Sequence, residues 1–192
     1  MAELKGTFYG VSVGPGDPEL LTLKAVRVLT QCPVLAAPQT AAGEMTALGI
    51  ARQAVDLEGK TLLPLPFTMS RDREKQHQAH LDAAAALEEH LRAGRDVAMA
   101  VLGDVAIFST YCYLMDILTQ RGIPCEMIPG VPSFCAVAAR LGRSLTTMNS
   151  PLHILPGGGE GPGETLDLPG TKVLMKAGRK MGQVKEKLQT MD

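Results

Sequence analysis

Short runs of β-branched and small apolar residues alternate along the chain with stretches whose apolar positions recur at helical spacing. Thr7–Val13 reads as a first strand, closed by Gly14-Pro15-Gly16-Asp17. Asp17 supplies a cap, Pro18 a first-turn proline and Glu19 an acid at the positive end of a helix dipole. A helix is therefore predicted to open there, with Leu21, Ala25, Val28 and Leu29 as its apolar stripe. Cys32–Ala37 predicts a second strand, Gly43–Val55 a helix and Thr61–Leu65 a third strand. Ser70–Arg92 predicts a long helix, carried by Ala84, Leu87 and Leu91 and ended by Gly94. Asp96–Leu102 is almost wholly apolar, as expected of a central parallel strand buried on both faces. Beyond Gly103-Asp104, Tyr111, Leu114, Met115 and Leu118 define a helix. Pro124–Ile128 is then a strand stopped by Pro129-Gly130, and Pro132–Leu141 a helix.

This order predicts an α/β fold with a mainly parallel sheet and helices on its faces. The character of the chain changes near Thr146. Pro151–Pro156 and Thr171–Met175 are strand candidates, and the loop PGGGEGPG (Pro156–Gly163) has no capacity to build a core. Met181, Val184 and Leu188 mark a last amphipathic helix. The expected organisation is a first αβα domain over 1–145 and the start of a second over 146–192. So short a second segment is a small basis for an independent core, so the second domain is expected either to lean on the first or to be cut short at Asp192.

Composition narrows the function. Of 192 residues, 45% are hydrophobic and 20% charged, the profile of a soluble globular enzyme. A net charge of −1 gives no general attraction to nucleic acid or anionic lipid, and 4% aromatics without Trp argue against a base-stacking surface. The longest strongly apolar run, Val97–Leu102, is far too short to span a membrane, and the first residues carry no apolar signal core. The four cysteines (Cys32, Cys112, Cys125, Cys135) form no C-x-x-C pair, so buried free thiols in a reducing cytoplasm are expected rather than a disulfide or zinc site.

Three turns follow apolar strands: Gly14-Pro15-Gly16-Asp17, Leu102-Gly103-Asp104-Val105 and Pro129-Gly130-Val131-Pro132-Ser133. Each alone reads as an ordinary strand–helix turn; together, at the carboxyl ends of a parallel sheet, they favour a binding cleft. Neither a dinucleotide fingerprint nor a P-loop is present, and no G-x-S-x-G elbow or H-E-x-x-H helix occurs. His77 and His80 stand three apart, but no third metal ligand is evident, and a solvated helix face is expected; no metal site is assigned. His153, on a short strand, reads as packed or surface. What remains is chemistry that needs mainly positioning, such as group transfer from an activated donor.

The runs GTFYGVSVGPGDPELLTLKAVRVL, LGDVAIFSTYCYL and EMIPGVPSFCAVAARLG resemble the tetrapyrrole methylases, S-adenosylmethionine-dependent enzymes of cobalamin and siroheme synthesis. The FYGV lead-in, LPFTMSRDREK, STYCYL and VLMKAGR resemble the members that methylate C20 of precorrin-2 or cobalt-factor II. The chain departs from the usual pattern at three places: Val105 stands where relatives usually have Pro, Ser12 where Gly is commoner, and Pro132 where many have Thr or Ser. The resemblance implies two αβα domains with S-adenosyl-L-methionine in the cleft between them, held largely by main-chain groups. Carried over by position, Pro15, Leu102, Gly103, Asp104, Ile107, Ser109, Thr110, Pro132, Ser133 and Met175 are the expected donor-binding residues. The carboxylate of Asp104 is expected to favour the cationic sulfonium.

The implied reaction is in-line transfer of the sulfonium methyl to an enamine-like meso carbon, which later loses a proton to a base that no residue of the sequence singles out. The tetrapyrrole carries many carboxylates, for which Arg71, Arg73 and Lys75 are the expected partners, with Arg140, Arg143, Lys176 and Arg179 as further candidates. A cytoplasmic homodimer is implied. A sister methylase acting on another ring carbon, or a non-catalytic domain that binds without turnover, are the alternatives.

Overall fold

The computed structural model describes residues 5–67, 72–157, 166–178 and 181–189. The chain divides into two compact units, 1–133 and 134–192. The change of character read from the sequence lies further on, near Thr146.

In the first unit, β1 (Phe8–Ser12), β2 (Val34–Gln39), β3 (Thr61–Pro66), β4 (Val97–Val101) and β5 (Cys125–Ile128) form one sheet in the order β3-β2-β4-β1-β5. Every neighbouring pair is parallel. Parallel neighbours need crossovers. These contain α1 (Leu23–Gln31), α2 (Thr46–Ala51), α3 (Arg73–Arg92) and α4 (Tyr111–Gln120).

The period of two along the strands separates two cores. Phe8, Val97, Met99 and Val101 pack with Leu87 and Leu91 of α3 and Leu114 and Leu118 of α4. Val11, Ala98, Ala100 and Ile128 pack with Ala25, Val28 and Leu29 of α1 and Leu48 and Ile50 of α2. All five β4 residues are buried, as their apolar run predicts. On the α3/α4 face, Gly10 leaves room for the Tyr111 ring: a Cβ there would lie 2.6 Å from it. The Tyr111 hydroxyl lies 3.0 Å from both the Phe8 and Glu126 carbonyls, pinning α4 under β1 and β5. Burial pushes its phenol pKa up.

Two helices differ from the sequence expectation. Asp17 caps only a 3-10 turn, Pro18–Leu20, accepting the Glu19 N–H at 2.9 Å. Leu21 is extended, so α1 begins afresh at Leu23, with the Thr22 hydroxyl accepting the Ala25 N–H at 3.1 Å. The helix expected over Gly43–Val55 is α2, Thr46–Ala51; after it the backbone tightens to three-residue spacing at Gln53 and Ala54. Of the thiols, Cys32 is buried, and burial raises its pKa to about 12, whereas Cys112 and Cys125 are half-buried and Cys135 is exposed. The expectation of buried thiols therefore fails for Cys135: α5 (Ser133–Arg140) has no buried residue.

In the second unit, β6 (Leu152–Pro156) and β7 (Thr171–Met175) form a parallel two-stranded sheet, followed by α6 (Met181–Gln189). Gly157 closes on this sheet, donating to the Met175 carbonyl at 2.6 Å.

Candidate functional site

β1 lies between β4 and β5, so the loops leaving these three strands emerge together at one edge of the sheet. They are tied to one another by short bonds. The Gly103 N–H donates to the Gly14 carbonyl at 2.8 Å, and the two glycines form an antiparallel bridge. The fully buried Ser12 hydroxyl accepts the Val105 N–H at 2.8 Å. Asp104 divides its carboxylate: one oxygen accepts the Ala106 N–H at 2.9 Å, the other the Gly130 N–H at 2.8 Å. Gly130 is so close that a Cβ there would lie 2.4 Å from the Ser12 Cβ and 3.3 Å from the Gly103 carbonyl oxygen.

The bond from the Val105 N–H to the Ser12 hydroxyl joins two of the positions at which the sequence departs from the pattern of the family it resembles. A proline at 105 would have no N–H to satisfy. Val105 restores that donor at a buried position, and Ser12 supplies the acceptor that glycine lacks. The sequence registered both changes separately; their partnership is visible only when β1 and the Gly103 turn are side by side.

The sequence-derived donor residues fall into two groups. Pro15, Leu102, Gly103, Asp104, Ile107, Ser109, Thr110, Pro132 and Ser133 all belong to, or adjoin, the three tied loops of the first unit. Met175 ends β7 and belongs to the second unit. Leu102 is 54% exposed, whereas Gly103 turns on a φ of +77° with nothing within 4 Å of where a Cβ would sit. The Ser109 hydroxyl faces inward and accepts the Tyr111 N–H at 3.1 Å, acting as a cap for α4. Each Asp104 oxygen likewise accepts one backbone N–H, so the carboxylate braces the loops after β4 and β5 against each other. Of the expected carboxylate partners, Arg73 and Lys75 are exposed at the start of α3, with Lys75 3.8 Å from the capping Asp72. Arg71 and Arg179 lie outside the described residues.

A cavity of about 740 Å³ adjoins the tied loops, over the carboxyl ends of β2, β3 and β4. Leu102 and Thr110 border it on one side; Pro38–Ala41, Thr46, Ala47, Pro66 and Phe67 complete it. Sequence reading missed this second side. The available signal was the pair of strand ends at Pro38-Gln39 and Pro66-Phe67, which a parallel sheet delivers to the same edge as Leu102.

The His77/His80 pair also differs from expectation. His77 is exposed, but His80 is half-buried and stacked on Tyr113 of α4, ring centroids 4.8 Å apart and planes at 10°. Its other neighbour is Phe67, at 5.8 Å and 59°. Burial, and secondarily the nearby His77, pull its pKa below the usual histidine value. Among the described residues, no group of three His, Cys, Asp or Glu side chains is placed to hold a metal ion, and no helix is long and apolar enough to cross a membrane.

Comparison with known proteins agrees with the geometry. Residues 7–191 match the family Tetrapyrrole (Corrin/Porphyrin) Methylases. A probable cobalt-precorrin-2 C(20)-methyltransferase of Methanocaldococcus jannaschii is 36% identical over 159 residues, 82% of this chain and 67% of that protein. The cobalt-precorrin-2 C(20)-methyltransferase of Salmonella typhimurium is 35% identical over 155 residues, 79% of this chain and 64% of that protein. The chain thus spans about two thirds of the length of these relatives. Relatives named for methylation at other positions match as well. Among solved structures, uroporphyrin-III C-methyl transferase from Thermus thermophilus, complexed with S-adenyl homocysteine, superposes with a TM-score of 0.70 at 27% identity, covering 97% of this chain and 73% of that one. An all-parallel sheet with its loops tied at one edge, and a sequence match running almost end to end, lead to one conclusion: this chain belongs to the tetrapyrrole methylase family.

Proposed function

We propose that the chain transfers the methyl group of S-adenosyl-L-methionine to C20 of precorrin-2 or its cobalt-bound form, a step of cobalamin biosynthesis. The observation that carries this reading is the adjacency of the tied loops and the cavity, which share Leu102 and Thr110. A methyl transfer between two bound molecules needs a donor site and an acceptor site side by side, and little acid–base machinery.

The residues present fit the donor. Gly103 offers a face without side chain, with open space where a Cβ would sit, beside the main chain of the tied loops. When bound, the donor supplies an electrophilic sulfonium methyl. The chain's part is to fix the loops so that this methyl points at the acceptor carbon. Pro15, Leu102, Gly103, Asp104, Ile107, Ser109, Thr110, Pro132, Ser133 and Met175 remain the proposed donor-binding residues. Asp104 contributes through the loop geometry it braces. The cavity, walled by Pro38, Pro66, Phe67 and Leu102, suits the apolar face of a macrocycle. Arg71, Arg73 and Lys75 are the proposed partners for its carboxylates. The four free thiols support a reducing cytoplasmic setting. The homodimer remains an expectation of the family resemblance, for light scattering to check.

The test is incubation with methyl-labelled donor and either metal-free or cobalt-loaded precorrin-2, followed by mass spectrometry and carbon NMR of the product. One labelled methyl at C20 is expected. A methyl at another ring carbon would make the chain a sister methylase, and macrocycle binding without incorporation would make it a binding domain.

A further inference from the structure

Among the described residues, Phe67 is the one aromatic ring lining the cavity. It follows β3, immediately before the residues that lead into α3. A ring there closes the cavity only if something behind it prevents rotation outward. His80 is placed to supply that support: its imidazole contacts both Phe67 and Tyr113 and so links the end of β3, α3 and α4. We propose that His80 is a positioning residue for the acceptor site: it holds Phe67 as the cavity wall on which the planar face of the tetrapyrrole rests. The inference rests on the acceptor reading of the cavity given above.

Each ring contact contributes modestly, about 0.5–1.5 kcal/mol beyond area burial for aromatic pairs, which corresponds to a few-fold to about tenfold in affinity if it is lost. The arrangement also responds to pH. Among the described residues, His77 acts on His80 from its own helix. From α4, Tyr113 is in contact, and the next acid, Asp116, bears on Cys112. From the β3 side, the contact is Phe67, which does not titrate. The face of Tyr113 attracts an imidazolium, but burial and the neighbouring His77 act against the charge and prevail. The neutral ring is therefore the stacked form at neutral pH. Its support is fully present above the ordinary histidine range, near 6.5, and is lost as pH falls below it.

The experiment compares wild type, His80→Ala and His80→Phe in two assays. One is methyl transfer from S-adenosylmethionine to precorrin-2. The other is equilibrium binding of sirohydrochlorin, the oxidised form of the same macrocycle. For His80→Ala, KM and the macrocycle Kd are expected to rise about tenfold, with the Kd for S-adenosylhomocysteine unchanged. His80→Phe, which keeps a flat ring, should return both to within about twofold. It should also remove the rise in macrocycle Kd expected of wild type as pH falls below the ordinary histidine range. Unchanged Kd in His80→Ala, no recovery in His80→Phe, or a persistent acid rise in His80→Phe would each overturn the proposal. If His80→Ala fails to fold, the pH profiles of wild type and His80→Phe decide. Wild type that binds macrocycle in a His80-dependent way but methylates nothing would overturn the C20 reading and leave the positioning role standing.

Discussion

The two halves of the candidate site are built from different material. The edge formed by β1, β4 and β5 is tied by main-chain donors: the Gly103 N–H to the Gly14 carbonyl, the Val105 N–H to the Ser12 hydroxyl, and the Ala106 and Gly130 N–H groups to the Asp104 carboxylate. The neighbouring cavity over β2, β3 and β4 owes its outer wall to side chains, with Phe67 kept in place by His80 and Tyr113. A site tied in this way tolerates few substitutions, because every donor is a main-chain N–H and its acceptors are a carbonyl and two short buried or part-buried side chains. A side-chain wall can be altered one residue at a time without disturbing the sheet. The difference suits an enzyme whose donor is common to its family while its acceptor varies among relatives. It also sets out where substitutions should damage folding together with donor binding, and where they should change acceptor recognition alone.

The largest effect is expected at Gly130. In Gly130→Val the new Cβ would lie 2.4 Å from the Ser12 Cβ, which cannot rotate away. The loops must separate, at a cost of about 3 kcal/mol or more. Urea unfolding should show that loss, and calorimetry should show S-adenosylhomocysteine binding reduced at least about tenfold. Native stability with native donor affinity would mean that the three loops do not depend on one another.

Next in size is the pair Ser12 and Val105. Ser12→Ala leaves a buried N–H without its acceptor and should cost about 1–3 kcal/mol. Ser12→Gly combined with Val105→Pro removes acceptor and donor together. Its destabilisation should be smaller than the sum of the single variants by about 1 kcal/mol. Strict additivity in denaturant titrations would show that the two departures are unrelated.

The sequence made the backbone-built half largely legible. Strand ends followed by Gly14-Pro15-Gly16, Gly103-Asp104 and Pro129-Gly130 mark turns by their composition, and the apolar β4 fixes which strand is central. Non-local contacts were not legible. Nothing near Asp104 in the sequence indicates that it reaches Gly130, and no local pattern shows that Ser12 faces Val105. The side-chain wall was harder still. His80 lies in a helix whose neighbouring residues are mostly charged or polar, so a solvated face was the natural reading. Its burial comes from Tyr113, more than thirty residues away, and from Phe67 on a different element. The 3-10 turn at Pro18–Leu20 is illegible for a local reason: Asp17, Pro18 and Glu19 satisfy the start rules of either helix type, and the extended Leu21 decides between them.

On the side-chain half, Phe67→Ala is expected to raise KM for the tetrapyrrole about tenfold through lost ring contact. The Kd for S-adenosylhomocysteine should stay within about twofold, because Phe67 takes no part in the tied loops. Steady-state kinetics together with calorimetry separate the two. A parallel loss of donor affinity would merge the two halves and remove the distinction.

The smallest effect is expected at the start of α3, where Arg73 and Lys75 are exposed. Backbone N–H groups and the positive end of the helix dipole attract an anion there, and the Asp72 carboxylate already satisfies the Glu74 and Lys75 N–H groups. Exposed ion pairs contribute about 0–1 kcal/mol each, so Arg73→Glu with Lys75→Glu should raise KM only several-fold. Screening gives the effect its signature. The penalty should shrink as salt is raised from about 0.01 to 0.5 M, because the Debye length falls from about 30 Å to a few ångströms. The Phe67→Ala penalty, which is contact rather than charge, should persist across the same range. A charge-reversal penalty that ignores salt would place these side chains in a dry contact with the substrate, and no penalty at all would move the carboxylate partners to another basic segment.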